Sequence, residues 1–239
     1  MKIEILKSAD DLARAAARHF VAKSLEAILN KGRFTVALSG GSTPKKLYEL
    51  LADPTEPFRN QVPWEKIHFL WSDERHVPPD HSESNYRMTY EAMLSRVPVA
   101  TDNVHRIEGE NPNAFDAAVK YEKTLKSVTG EALPQLDLIL LGLGTDGHTA
   151  SIFPGSEVLQ ETKRLVAAPW VEKLKSYRIT MTLPVLNNGG SVVFLVSGDE
   201  KAEIVKEVIE GPERYPAQAV KPKGELLWLL DEAAAIRVK

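Results

Sequence analysis

The chain has 239 residues, 43% hydrophobic and 26% charged, which excludes disorder and collagen-like repetition. At this length folding buries on the order of 70–75% of the unfolded chain's surface, enough for a core without staples. Thirty Lys and Arg against 33 Asp and Glu give a formal charge of −3, a poor balance for sequence-independent nucleic-acid binding. No cysteine occurs, so disulfides, thiolate metal sites and thiol nucleophiles are all removed. No apolar run reaches the ~18 residues of a membrane span. Cytoplasmic chemistry without a membrane partner is what remains.

Residues 1–7 read as a strand rather than a leader, and residues 8–31 as a long helix. Ser8 can cap that helix, Asp10 and Asp11 sit in its positive first turn, and Gly32 stops it. Residues 34–38 form a short apolar strand that runs into Ser39-Gly-Gly-Ser-Thr-Pro44 and a helix through Leu51. A strand at 67–71 leads to a loop, 73–84, rich in charge and proline. Residues 85–94 and 112–128 read as helices, and 137–141 as a strand ending in Gly142-Leu-Gly-Thr-Asp-Gly-His148. Strands at 177–183, 191–196 and 226–230 and a late helix at 201–209 complete the set. The proline-bearing stretches 52–63 and 211–224 are too short to be domain linkers, and there is no internal repeat. Apolar strands without alternation are buried on both faces, as in a parallel sheet between helix layers. The expectation is a single α/β domain over residues 1–239, with ligands beyond the carboxyl ends of its strands.

Three strand ends carry polar chemistry. At the first, Gly40 and Gly41 let the backbone approach a ligand, and Pro44 suits the first turn of the following helix. Free amides at a helix start, with the hydroxyls of Ser39, Ser42 and Thr43, make an anion site. The plainer alternative is a structural turn capped by Thr43. The segment matches neither a Walker A loop nor a serine-hydrolase elbow. At the second end, Ser72-Asp-Glu-Arg-His-Val-Pro78 gathers more charge than a solvated turn requires. Asp73, His76, Asp80 and His81 fit no metal-ligand spacing, so no metal is expected there. The third end satisfies G-x-G-x-x-G, yet Phe153-Pro-Gly155 interrupts the helix that a dinucleotide site would need. A nicotinamide cofactor is rejected. His148 beside Asp146 is a candidate general base, with a structural histidine as the alternative.

In this order the segments resemble the 6-phosphogluconolactonase family over nearly the whole chain. The resemblance is carried by residues 37–44, by 69–78 with Ser84 and Asn85, by 141–154, and then by 178–182 and 197–202. Thr145, before the Asp of the third motif, is the one small departure and touches neither proposed catalytic side chain. The resemblance implies a three-layer, mainly parallel Rossmann-like sheet flanked by helices, as in glucosamine-6-phosphate deaminase and ribose-5-phosphate isomerase. It implies hydrolysis of 6-phospho-D-glucono-1,5-lactone without metal or organic cofactor; the expected assembly, a monomer or small homo-oligomer, is left open by the sequence.

The family's site carries over onto particular residues. The loop Ser39, Gly40, Gly41, Ser42 and Thr43, with Arg178 and Lys201, would hold the 6-phosphate. Lys201 stands at a helix start, where a cation is locally unfavourable, and this favours a ligand role. His148 would draw a proton from water, with Asp146 orienting its ring or meeting sugar hydroxyls. Asp73 would face hydroxyls, and Arg75 the phosphate or the developing oxyanion. Glu74 is expected to be a structural ion-pair partner. The rival within the fold is a sugar-phosphate isomerase or deaminase, whose D-G-H loop continues with an Asn–Glu pair where this chain has Ile152-Phe153. Proton movement between carbons needs several titrating groups, and Phe153 in place of a carboxylate tips the choice toward hydrolysis. A silent sugar-phosphate-binding regulator is the other alternative, opposed by the intact Asp146 and His148.

Overall fold

A computed structural model describes residues 1–238. Strand β1 (Lys2–Leu6) leads into helix α1 (Ala9–Lys31), β2 (Phe34–Leu38), α2 (Ser42–Ala52), the single turn α3 (Phe58–Gln61) and β3 (Ile67–Trp71). There follow β4 (Asp73–Arg75), α4 (Asn85–Ala92), α5 (Ala114–Thr129), β5 (Leu138–Leu141), and the two-residue strands β6 (Val166–Ala167) and β7 (Trp170–Val171). The chain continues through β8 (Ser176–Met181), α6 (Leu183–Leu186), β9 (Ser191–Val196), α7 (Ala202–Glu210), β10 (Glu225–Asp231) and α8 (Glu232–Ala235).

Six strands form a wholly parallel sheet in the order β1-β10-β9-β5-β2-β3. Every residue of β2, β5 and β9 is buried, which is why their sequences are unbroken apolar runs. Helix α1 packs on β1, β2, β10 and α2. Its ends are set as the sequence suggests: Ser8 Oγ accepts from the Asp11 amide at 3.1 Å, and Gly32 turns left-handed at φ 77°.

The second sheet departs from expectation. Residues 73–75, expected to be loop, form β4, and β8, expected among the parallel strands, pairs antiparallel with β4, β6 and β7. A three-residue strand reading Asp-Glu-Arg carries no hydrophobic period, so nothing local announces it. Ser72 joins the two sheets: its amide donates to Leu38 O and its carbonyl accepts from the Met181 amide, both at 2.8 Å. This join leads Asp73 and Arg75 away from the parallel sheet at the level of the β2 loop.

Two buried tyrosines fix the strand ends nearby. The Tyr48 hydroxyl accepts from the Ser39 amide (3.0 Å) and donates to the Ser39 carbonyl (2.9 Å). The Tyr121 hydroxyl does the same for Trp71, at 2.7 and 2.9 Å. Burial pushes both phenols well up, so they stay protonated donors. No helix among the described residues is long and apolar enough to cross a membrane.

Candidate active site

Beyond the carboxyl ends of β2, β3, β5 and β9 lies a cleft of about 220 Å³. One wall is the loop from Ser39 to Thr43, which opens α2. Gly41 sits at φ 111°, a conformation suited to glycine, and no side chain caps the helix. The first amides of α2 are therefore left as donors beside the cleft. Ser39 lines the cleft, and its Oγ is buried with no protein partner. A β-carbon at Gly40 would fall 2.6 Å from Asn85 Cγ, which requires glycine there.

Asn85 links this wall to the next. Its Nδ2 donates to the Asp73 carbonyl at 3.0 Å, and Asp73 Oδ2 accepts from Ser151 Oγ at 2.6 Å. Asp73 is thereby held almost buried, 6% exposed, with Arg75 further along the same strand. Glu74 points the other way and is not an ion-pair partner. Its carboxylate accepts from the amides of Arg75, Asn85 and Tyr86 and from Ser84 Oγ, nailing the start of α4. Burial pushes this carboxyl up, against the pull of those three amides.

The third wall is the loop after β5. It bends back on itself, with the Gly144 amide donating to His148 O at 2.8 Å, and no helix follows. His148 Nδ1 meets Asp146 Oδ1 at 2.5 Å, and the ring stacks on Phe153 with centroids 4.3 Å apart. A carboxylate only accepts, so Nδ1 carries the hydrogen, and in the neutral ring it is Nε2 that holds the lone pair. His148 lines the cleft, whereas Asp146 stands behind it and does not. Partial burial opposes the Asp146 charge. The Lys173 ammonium and the imidazole outweigh it, holding the carboxyl down to about 2.

Lys201 reaches the cleft from the turn after β9. That turn is fixed by Asp231, which accepts from Ser197 Oγ at 2.5 Å and from the Gly198 amide at 3.1 Å. Arg178 is not on the cleft lining. It is buried on β8, directly opposite Arg75 in register, with Nη1 donating to Ser176 Oγ and Tyr177 O at 3.1 Å each. Burial, and after it the charge of Arg75, lower this guanidinium from its ordinary value. Asp73, Glu83 and Glu74 act in the opposite sense on Arg178 without closing a salt bridge to it, and the two adjacent cations supply positive potential that suits a dianion.

Among the described residues no group of three or more His, Asp or Glu is arranged to hold a metal ion. His76 Nε2 is at 2.6 Å from Asn111 O, and His81 Nδ1 accepts from the Glu83 amide. A larger groove of about 800 Å³ beside α1 and α2 pairs Arg14 with Glu56 and Lys46 with Asp10, while its Arg59 donates to the Arg96 carbonyl at 2.9 Å. Sequence reasoning missed Asn85's link, the Ser151 contact and Lys173. Asn85 and Ser151 lay within the second and third motifs without a role assigned to them, and Lys173 carried no signal.

Residues 7–228 match the model of the family described as glucosamine-6-phosphate isomerases/6-phosphogluconolactonase. The chain belongs to this family. A 6-phosphogluconolactonase from Nostoc sp. is 43% identical over 228 residues, covering 90% of this chain and 92% of the relative. The crystal structure of 6-phosphogluconolactonase from Thermotoga maritima superposes with a TM-score of 0.83 at 32% identity, over 96% of this chain and 99% of that one. A monomeric glucosamine-6-phosphate deaminase shares the fold, with a TM-score of 0.84 at 21% identity over 99% of this chain and all of the other. The mainly parallel, helix-flanked architecture expected from the family is the one observed.

Proposed function

We propose that the chain, acting as one domain, hydrolyses 6-phospho-D-glucono-1,5-lactone to 6-phospho-D-gluconate, with His148 as general base. The observation that carries this reading is the Asp146–His148 pair, which turns a free Nε2 into a cleft whose opposite wall is an anion-binding helix start. The relatives named 6-phosphogluconolactonase, similar over most of the chain, support the lactone as substrate.

The phosphate is held by the amides and hydroxyls of Ser39, Gly40, Gly41, Ser42 and Thr43 and by Lys201, with Arg178 contributing charge from behind Arg75. Each hydrogen bond to a charged group contributes about 1.5–3 kcal/mol, so this end dominates recognition. Asp73, fixed by Ser151, accepts from sugar hydroxyls. Water loses a proton to His148 Nε2 as its oxygen bonds to the lactone carbonyl carbon. Asp146 steadies the resulting imidazolium, and Arg75 faces the oxyanion. Collapse of the tetrahedral intermediate breaks the ring C–O bond, and the imidazolium returns its proton to the departing oxygen. The reaction needs no metal or organic cofactor. A cytoplasmic location and a monomeric or small homo-oligomeric state belong to the same proposal, in keeping with an acidic, cysteine-free chain.

A deaminase-type reaction is the reading to be separated. It needs a further titrating group near His148, where this chain places the ring of Phe153. The test is to add purified protein to freshly generated 6-phosphogluconolactone and follow its loss against spontaneous hydrolysis. Acceleration is expected. No acceleration, with ammonia released from glucosamine 6-phosphate instead, refutes the assignment.

A further inference from the structure

Lys173 lies in no motif and does not line the cleft, yet it touches two of the groups that hold His148. It sits in the turn Glu172–Leu174 at the tip of the β7–β8 hairpin, a turn closed by Lys175 in the left-handed conformation at φ 45°. Its ammonium pairs with Asp146 Oδ2, the oxygen that His148 does not use. The same ammonium stands 4.5 Å from the centre of the Phe153 ring, within cation–π range. Phe153 in turn stacks on the imidazole at 29° between planes. Lys173, Asp146, His148 and Phe153 thus close a ring of four contacts, with only the imidazole opening onto the cleft.

We infer that Lys173 is a positioning residue for His148. This rests on the lactonase reading of the site. The ammonium anchors both supports of the imidazole, the carboxylate at its Nδ1 edge and the aromatic face beneath it. A surface lysine half exposed to solvent, 53%, would gain little from an isolated ion pair. Its two-point contact inside a closed cycle gives it a geometric function instead. The ammonium also shares the Asp146 charge. With it removed, the whole carboxylate charge acts on the imidazole and favours the protonated ring, the form that is useless as a base. The other charged groups around His148 are Asp73, Arg75 and Lys201 across the cleft, all untouched by a change at position 173. Glu172, next to Lys173 in the turn, is engaged with Trp170 Nε1 at 2.8 Å.

The experiment compares wild type, Lys173→Met and Lys173→Arg on freshly generated 6-phosphogluconolactone between about pH 5 and 8, with melting temperatures on the same preparations. Lys173→Met is expected to lower kcat about tenfold with KM within twofold, the pattern of a misplaced catalytic group rather than lost binding. Its acid limb should move to higher pH, and Lys173→Arg should restore most of kcat and the wild-type limb. Wild-type kcat and limb in a folded Lys173→Met variant overturn the inference. A raised KM with unchanged kcat overturns it as well, since Lys173 would then bind substrate. Wild-type protein inert on the lactone refutes the lactonase reading alone. The clamp is then tested without turnover, by the imidazole Nδ1–H resonance of His148. That signal should move or broaden in Lys173→Met, and an unchanged resonance refutes the clamp.

Discussion

Gly144 offers a way to move His148 without altering any functional group. Its backbone is not left-handed, so alanine adds no torsional strain, and the perturbation is the methyl group alone. A β-carbon there would stand 2.8 Å from His148 Cγ, with ring Nδ1 nearer still, whereas ordinary contact begins at 3.4 Å. Nδ1 would stand 2.0 Å away, so the imidazole must retreat by ~1.4 Å, away from a hydrogen bond that spans only 2.5 Å to Asp146. A charge-assisted bond of this kind is worth about 1.5–3 kcal/mol. Its loss converts to roughly a 10- to 150-fold fall in kcat at 1.36 kcal/mol per decade. The loop of residues 39–43 is untouched, so the affinity for 6-phosphogluconate should change no more than about threefold. Steady-state kinetics, product titration and thermal melting of Gly144→Ala separate these effects. A folded variant with wild-type kcat would refute the view that the Asp146–His148 geometry limits the rate. A variant that merely loses product affinity would refute the placement of the phosphate.

His148→Asn, which keeps a polar side chain but no useful base, should lose about 10²–10⁴ in kcat while product affinity and melting temperature stay near wild type; a turnover within threefold of wild type removes this base from the mechanism. Unphosphorylated gluconolactone should be at least ~100-fold poorer in kcat/KM, since two or more charge-assisted bonds of ~1.5–3 kcal/mol are lost; equal efficiency on both lactones contradicts phosphate-led recognition. The stacked pair His68 and His105, with Nδ1 and Nε2 3.0 Å apart, should make the fold acid-sensitive. Burial, and next the neighbouring ring, hold His105 to about 4, while an unfolded histidine titrates near 6.5. Between those values the unfolded chain binds more protons, so stability falls as pH falls from about 6.5 to 4, by about 1–2 kcal/mol for half-buried rings. His105→Asn should flatten that slope in chemical denaturation at a series of pH values, and an unchanged slope assigns the acid sensitivity elsewhere.

The parallel sheet was legible because β2, β5 and β9 are buried on both faces and therefore apolar without interruption. The anion loop and the Asp146–His148 tip were legible because glycine spacing and strand ends mark them. The second sheet was not. β4 is held by pairing with a strand about a hundred residues later, and its Asp-Glu-Arg composition imitates a solvated loop. Glu74 shows the same limit: a charged residue in a charged segment suggests an ion pair, yet its partners are backbone amides, which every residue but proline possesses. Lys173 pairs across 27 positions of sequence, through a turn whose lysines look merely soluble. The tyrosine clamps at Ser39 and Trp71 were equally silent, since a buried tyrosine reads as core whatever its hydroxyl does.

The join at Ser72 bears on how the molecule loses activity. One residue gives its amide to the β2 strand end and its carbonyl to β8, so the wall carrying Asp73 and Arg75 is tied to both sheets at a single residue. A protein that gates its site by swinging one lobe over another needs a flexible seam between them. Here the seam is itself a pair of buried backbone bonds, flanked by Leu38, Trp71 and Met181, each with no measurable exposure. The wall carrying Asp73 and Arg75 is therefore not built to swing as a separate lobe, since moving it would break those bonds. Substrate is therefore expected to meet this wall already formed, and loss of the wall is expected to accompany melting of the sheets that hold it.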